Sequence, residues 1–490
     1  MQWNRLLIIV AAIAIALYGR FLYRHLGYAA GGPDSGGYMN EAKLIASGHV
    51  TEPVGLVRQL GLDDSWLGYF MPLGFAPSPH GSMHPLYPPG LPMHLALAGK
   101  IGGWKKAPYL VAPLAAVGCV ILMILIARQL GIPLLLSFVG AAAVAWFPPL
   151  LWHAVQPASD VLAMLWALLA MVFALRVVPA SPPAFAFAAG VAFSIGVWVR
   201  PTNALMVIPL AMAVRFRWRD LLRMAVGALP LVVALMVWNK TLYGSPFRTG
   251  YGDITLTWEG VLNAAPEHAR WLFRMLSAAV FPCGLLVLFD RRVERWTRWM
   301  LVIWFAVFYM FYAFYGFWDG YLCLRFLLPA VPPLLFGTML LLRDAVAAAR
   351  GRVRIGAIAA SVLITAWIIG STIQYGETLG VRPLLKTVET GYPQYVRFAE
   401  KRIPQRSIVM TGVLCGAFLL YENRSIVRYD QLDDARFQLL RAYAGVHELP
   451  WYAALGHDEM QDVAALRARF RGNWEFVDKF GDVTIYRLRE

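Results

Sequence analysis

The sequence predicts a polytopic α-helical membrane protein with a small C-terminal α/β soluble domain. Three observations predict it. Hydrophobic residues make up 59% and charged residues 15%, with a mean hydropathy of +0.55, far from the balance of a soluble domain. Eleven apolar stretches of near-spanning length follow one another. Beyond about residue 376 the composition becomes that of a soluble protein. The net charge of +15 is no nucleic-acid signature, because from Glu377 onward 16 Lys+Arg meet 15 Asp+Glu, against 28 and 14 before it. The excess belongs to the membrane part, and nucleic acid drops out as a partner.

The apolar stretches lie at 6–23, 108–127, 133–152, 158–178, 184–199, 202–214, 222–238, 271–289, 299–315, 326–342 and 355–373. Each approaches the ~20 apolar residues that a bilayer core requires. Alternate short connections are basic: Arg128; Arg176; Arg215, Arg217, Arg219 and Arg223; Arg291, Arg292, Arg295 and Arg298; Arg343, Arg350, Arg352 and Arg354. The positive-inside rule then puts the amino terminus in the cytoplasm and the carboxyl terminus outside. The first stretch has the outline of a signal peptide, with Arg5 ahead of it and Ala29 and Ala30 behind. It runs on through Tyr18 and Phe21, and reads better as an uncleaved anchor. Only eight of the 44 bases are Lys, a bias that, with abundant Ala, reads as a GC-rich bacterial genome and hence a bacterial inner membrane.

Residues 27–107 form the longest break between spans and hold too many apolar residues for disorder. Two surface helices are expected there. One covers 37–47, with Tyr38, Ala42 and Ile45 on one face and Asn40, Glu41 and Lys43 elsewhere; the other covers 91–101, between Pro88-Pro89 and Gly102-Gly103. After the last span, helical periodicity at 394–401, 432–443 and 459–470 alternates with β-like runs at 407–410, 425–429 and 451–455. A hairpin of 474–477 and 483–488 turns at Gly481-Asp482. The expected division is therefore 1–376 and 377–490. No repeat or low-complexity tract is visible.

Chemistry concentrates on the outer side. Asp34, just after the first span, either caps the first surface helix, as Ser35 also could, or is a carboxylate that partial burial tunes as a general base. Asp160, in Ser159-Asp160 at a span start, is either a cap or an active-site acid. Among the outer cations, Arg200 before Pro201 and Arg325 before Phe326 lie outside basic clusters, which favours phosphate binding over snorkelling to headgroups; Lys43 is a further candidate. His80 and His84 have metal-like spacing, but the surrounding prolines oppose a helix. Asp63-Asp64 reads as a solvated pair or a cation site. The cysteines, Cys119, Cys283, Cys323 and Cys415, show neither disulfide-framework nor zinc-knuckle spacing. ATP-loop, nucleophile-elbow and H-E-x-x-H motifs are missing.

The order of short motifs resembles the GT-C membrane glycosyltransferases, in the branch of protein mannosyltransferases and lipid A aminoarabinose transferases. The motifs are Pro33-Asp34-Ser35-Gly36-Gly37-Tyr38, Tyr87-Pro88-Pro89-Gly90-Leu91-Pro92, Ser159-Asp160, Arg200-Pro201-Thr202-Asn203, Tyr243-Gly244-Ser245-Pro246-Phe247 with Gly250-Tyr251-Gly252, and Arg325-Phe326-Leu327-Leu328-Pro329. The resemblance covers nearly the whole chain, and motif order and topology carry it. It implies a polyprenyl-phosphate sugar donor, a glycan, lipid or protein acceptor, membrane lipid as surroundings, and transfer on the outer (periplasmic) side by inverting single displacement. Asp34 matches the family's catalytic carboxylate and Asp160 would orient acceptor or sugar. Arg325, with Arg200 or Lys43, would stabilise the donor phosphate. Tyr38, His84, Tyr87, Tyr251 and Asp319 fall around the donor and acceptor pocket, and the surface helices would cover a groove for the prenyl chain. Ser35 stands where the family often has a second acid, which leaves a divalent metal open; no other cofactor is implied. The competing readings are a non-enzymatic polyprenyl-lipid carrier or flippase and an inactive scaffold. Polar residues are almost missing from the inner halves of the spans, and the acids and bases are retained, which count against each in turn.

Overall fold

In a computed structural model the chain divides into two compact units, one of Met1–Leu26 and Leu110–Lys386, the other of Gly27–Tyr109 and Thr387–Glu490. The structure describes all residues except Met1, Ala180, Trp318, Asp319, Lys386, Val388, His457, Asp458, Met460, Gln461, Asp462 and Glu490, and not the side chains of Gln2, Trp3, Asn4 and Pro383.

The first unit is helical. Among the described residues, six helical stretches are long and apolar enough to cross a membrane: Arg5–His25, Ala107–Gln129, Trp218–Tyr243, Arg295–Tyr315, Leu328–Ala348 and Gly351–Thr378. The expected span at 133–152 is a pair, Leu134–Ala145 and Pro148–Ala154, bent by 64°, because Pro148 and Pro149 withhold the N–H groups that would continue the helix. The stretches at 158–178 and 184–199 become the 17-residue helices Ser159–Leu175 and Pro183–Val199, each about 25 Å long against a core of about 30 Å. At 202–214 the chain makes a 3-10 turn and the seven-residue helix Val207–Ala213. The stretch at 271–289 is no single span: the helix Trp258–Leu276 ends at Ser277, and Cys283–Phe289 is a 3-10 helix. Six helices, or seven with the bent pair taken as one span, reach full spanning length among the described residues, and Ser159–Leu175, Pro183–Val199 and Pro201–Ala213 are shorter apolar helices. Prolines and chain reversals shorten the others.

The second unit joins two distant parts of the sequence in one core. Strands β1 (Glu52–Pro53), β2 (Phe75–Ser78) and β3 (Ser82–Pro85) form an antiparallel sheet in the order β1-β3-β2. Strands β4 (Ile408–Thr411), β5 (Ile426–Arg428), β6 (Trp451–Leu455), β7 (Asn473–Phe480) and β8 (Val483–Arg489) form a mixed sheet in the order β5-β4-β6-β8-β7. β4 runs parallel to β5 and β6, and β8 antiparallel to β6 and β7. Side chains alternate between sheet faces, so Ile408, Met410, Trp451, Ala453 and Leu455 enter one core and Val409, Tyr452 and Ala454 another. The first of these cores also holds Val57, Leu67, Phe70 and Met83 from the long loop. A division at residue 377 therefore separates two segments that share one core, and residues 27–109 cluster with the C-terminal part.

Two further expectations change in this unit. The first surface helix is Pro33–Ala46, four residues earlier than its periodicity suggests; Gly32 is the N-cap and Pro33 supplies the preset φ of the first position. It is buried on nearly every side, from Ser35 through Ala42, so Glu41 lies in the interior at 0% exposure instead of on a polar face. The second helix, Gly90–Gly102, falls where it is expected.

Candidate active site

Asp34 lies in the first turn of Pro33–Ala46 and is partly exposed. It is not the cap. Its Oδ1 accepts a hydrogen bond from the Tyr87 hydroxyl at 3.1 Å, and the same hydroxyl lies 3.1 Å from the Pro33 carbonyl. The Tyr87 ring rests on Tyr38, with centroids 4.4 Å apart. A Cβ on Gly37 would stand 2.3 Å from Tyr87 Cε2, so this glycine is what admits the ring. The motif around Asp34 thus places a carboxylate against the Tyr87 phenol, at a helix N-terminus whose dipole favours negative charge.

Glu389, which sequence reasoning did not single out, reaches the same turn. Its Oε2 accepts from the Gly32 N–H at 2.9 Å, and it also meets the Ser35 hydroxyl, the Gly31 N–H and the charge of Asp34. Ser35 in turn accepts from the Gly31 N–H at 3.2 Å. Burial, reinforced by the Asp34 charge, pushes the Glu389 carboxyl above its ordinary range even though these hydrogen bonds oppose the rise. A Cβ on Gly32 would lie 2.8 Å from Glu389 Oε1, so a side chain there would push the carboxylate aside. Glu389 has a left-handed backbone, φ 63°, and no motif surrounds it in the sequence.

Two turns beyond Asp34, Glu41 has neither carboxylate oxygen hydrogen-bonded. Burial raises its pKa well above the usual value and favours the neutral acid. Lys43 lies elsewhere: nine positions after Asp34, it is about half a turn round the helix and roughly 13 Å along it. Its Nζ donates to the Leu420 carbonyl at 2.7 Å, and burial lowers its pKa while Glu52 opposes the change. Lys43 and Asp34 therefore serve different faces.

In the helical unit, sequence-distant candidates do meet. Asp160, 4% exposed at the start of Ser159–Leu175, pairs with the Arg200 guanidinium and also feels the charges of His153 and Arg325. Arg200 and Arg325 lie over the Phe326 ring at 4.7 and 4.8 Å, and Tyr312 stacks against it with centroids 5.3 Å apart. The Thr202 and Tyr312 hydroxyls are 2.8 Å apart, and Asn203 donates to the Ala163 carbonyl at 2.9 Å. Two guanidiniums and one carboxylate leave a positive balance suited to an anion.

Other candidates are less engaged. His84 is on β3, and burial lowers its pKa, favouring the neutral imidazole. His80 occupies the β2–β3 turn with φ 64°, so the two histidines do not share a helix face. Tyr251 is 46% exposed, and Asp319 falls outside the described residues. Asp63 caps the 3-10 helix Asp64–Phe70, and Asp64 accepts from the His80 and Gly81 N–H groups. These acids therefore hold turns. Among the described residues no three His, Cys, Asp or Glu side chains gather as a metal site, and all four cysteines are free thiols.

No family model matches the chain, and no curated protein matches it by sequence. Solved structures do. The crystal structure of ArnT from Cupriavidus metallidurans bound to undecaprenyl phosphate superposes with a TM-score of 0.60 over 99% of this chain and 98% of that one, at 15% identity. The apo structure of the same protein gives 0.57 over the same shares, at 14% identity. At such identity the likeness is one of fold, and it extends over both the helical and the mixed unit. The chain has the fold of the GT-C membrane glycosyltransferases.

Proposed function

We propose that the protein is a membrane glycosyltransferase that moves a sugar from a polyprenyl-phosphate donor to an acceptor at the outer face of the membrane. The observation that carries this reading is the end-to-end fold match to a protein crystallised with undecaprenyl phosphate. The chain's own residues supply matching chemistry. Asp34 takes the proton from the acceptor's nucleophilic hydroxyl or amine as that atom attacks the anomeric carbon. The bond to the donor phosphate breaks on the opposite side, which inverts the configuration. Arg325 and Arg200 stabilise the charge that develops on the departing phosphate, while Asp160 fixes the Arg200 guanidinium. The retained proton-accepting carboxylate favours catalysis over simple lipid carriage.

The test is a panel of radiolabelled polyprenyl-phosphate sugars given to the protein in lipid, with membrane extract as acceptor source. Release of free polyprenyl phosphate from one donor names the sugar. Donor binding without release from any of them contradicts the reading and favours a carrier.

A further inference from the structure

Three basic connections of the helical unit meet at one cavity of about 540 Å³, within the ~300–1,000 Å³ usual for ligand sites. Arg215 and Arg217 come from the connection before Trp218–Tyr243, Arg292 from the one before Arg295–Tyr315, and Arg343 from the last turns of Val331–Ala348. A basic loop is ordinarily a topology signal and nothing more. Four guanidiniums from three separate elements around one cavity are a different observation.

The arginines are fixed. Arg217 pairs with Asp220 at 2.9 Å and donates to the Val177 carbonyl at 2.5 Å. Arg343 pairs with Asp344 at 2.7 Å and reaches the Gly131 carbonyl at 3.3 Å. Arg292 donates to the Asp344 carbonyl at 3.0 Å, and Arg215 pairs with Glu294 at the exposed rim. The turn presenting Arg215 has positive φ at two consecutive non-glycine residues, 56° at Arg215 and 52° at Phe216, a costly conformation that the surroundings must hold. Glu294 is the one acid among the described lining residues, against four arginines. Two long helices, Trp218–Tyr243 and Arg295–Tyr315, also begin here without side-chain caps, which adds the positive ends of their dipoles.

With Arg215, Arg217 and Arg343 paired to Glu294, Asp220 and Asp344, Arg292 leaves the cluster a positive excess, which favours an anion with several acceptor oxygens over a cation. The other half of the lining is apolar, including Met212, Met300 and Trp296, whose ring lies 6.0 Å from that of Phe216. Basic pockets between membrane helices, with aromatics at the interface, suit a phosphate headgroup joined to an acyl chain. We propose that this cavity binds the phosphate-bearing headgroup of an anionic lipid, at a site independent of the Asp34 chemistry.

The test uses the full chain in detergent and native mass spectrometry with dioctanoyl phosphatidylglycerol, dioctanoyl phosphatidylcholine and inorganic phosphate as probes. Phosphatidylglycerol is expected to bind and phosphatidylcholine not to. Arg215→Gln with Arg292→Gln should weaken binding about tenfold. Because that variant could weaken binding by disturbing the fold, Glu294→Gln supplies the opposite sign: removal of the lining acid should tighten binding by roughly threefold. Equal binding of the two lipids, or no response to either substitution, overturns the proposal. Inorganic phosphate that displaces the lipid at equal concentration also overturns it, by making the site one for a free anion.

Discussion

Asp160 of the helical unit and Glu41 and Glu389 of the mixed unit are buried by opposite means. In the helical unit Asp160 is interior with the Arg200 guanidinium against it, so a permanent opposite charge offsets the loss of water. In the mixed unit Glu41 has no partner for either oxygen, and Glu389 meets backbone N–H groups, a hydroxyl and a second carboxylate. There no cation offsets the burial, and both pKa values rise. A carboxylate locked to arginine is a fixed charge, useful for orienting a phosphate clamp. A unit whose buried acids have raised pKa values suits proton transfer, and Asp34 is in it.

The largest effect that separates the units is the cost of removing the cation-compensated acid. Asp160→Ala leaves Arg200 buried without its counter-charge and should destabilise the protein by about 3–5 kcal/mol, with Arg200→Met in the same chain recovering much of the loss. Thermal melting in detergent reads both, and equal melting of the single and double variants would show that the ion pair is not what holds the cluster. Next comes Gly37→Ala. The added methyl meets the Tyr87 ring and should cost about 1–3 kcal/mol, with turnover falling alongside as the phenol leaves Asp34.

The acids buried without a cation predict a pH trend of definite sign. Glu41 and Glu389 have raised pKa values in the folded protein, so their stabilisation is complete below the ordinary carboxyl pKa. It is lost as pH rises from there through the folded values. The melting temperature should therefore fall across that window, and Glu41→Gln should flatten the fall with little change at the acid end. An unchanged slope in that variant would mean that Glu41 is not buried as a neutral acid. The smallest effect concerns Glu389→Gln, which keeps an oxygen for the Gly32 N–H. It should spare most of the turnover and remove a second, higher inflection from the pH–rate profile, the one due to ionisation beside Asp34.

The same contrast decides what was legible in the sequence. Asp160, Arg200 and Arg325 announce themselves because charged residues at span ends are conspicuous against apolar neighbours, and the structure gathers them. The strands β4, β6 and β8 were readable from runs dense in Val, Ile and aromatics. Glu389 was not, since its meaning comes from a contact 357 residues away with Gly32. Strands β1 to β3 escaped notice because Pro53, Pro77 and Pro85 mask them and they are short. Lys43 stands about half a turn round its helix from Asp34, and outer-side placement alone does not decide which face a cation serves.

The central claim is that the Asp34 carboxylate accepts the proton of the attacking group. Single-turnover release of polyprenyl phosphate, with donor and acceptor saturating, compares wild type with Asp34→Asn, which keeps the size and the Tyr87 hydrogen bond. The account predicts that the rate falls at least about a hundredfold while donor affinity holds. A variant that turns over at the wild-type rate would contradict it.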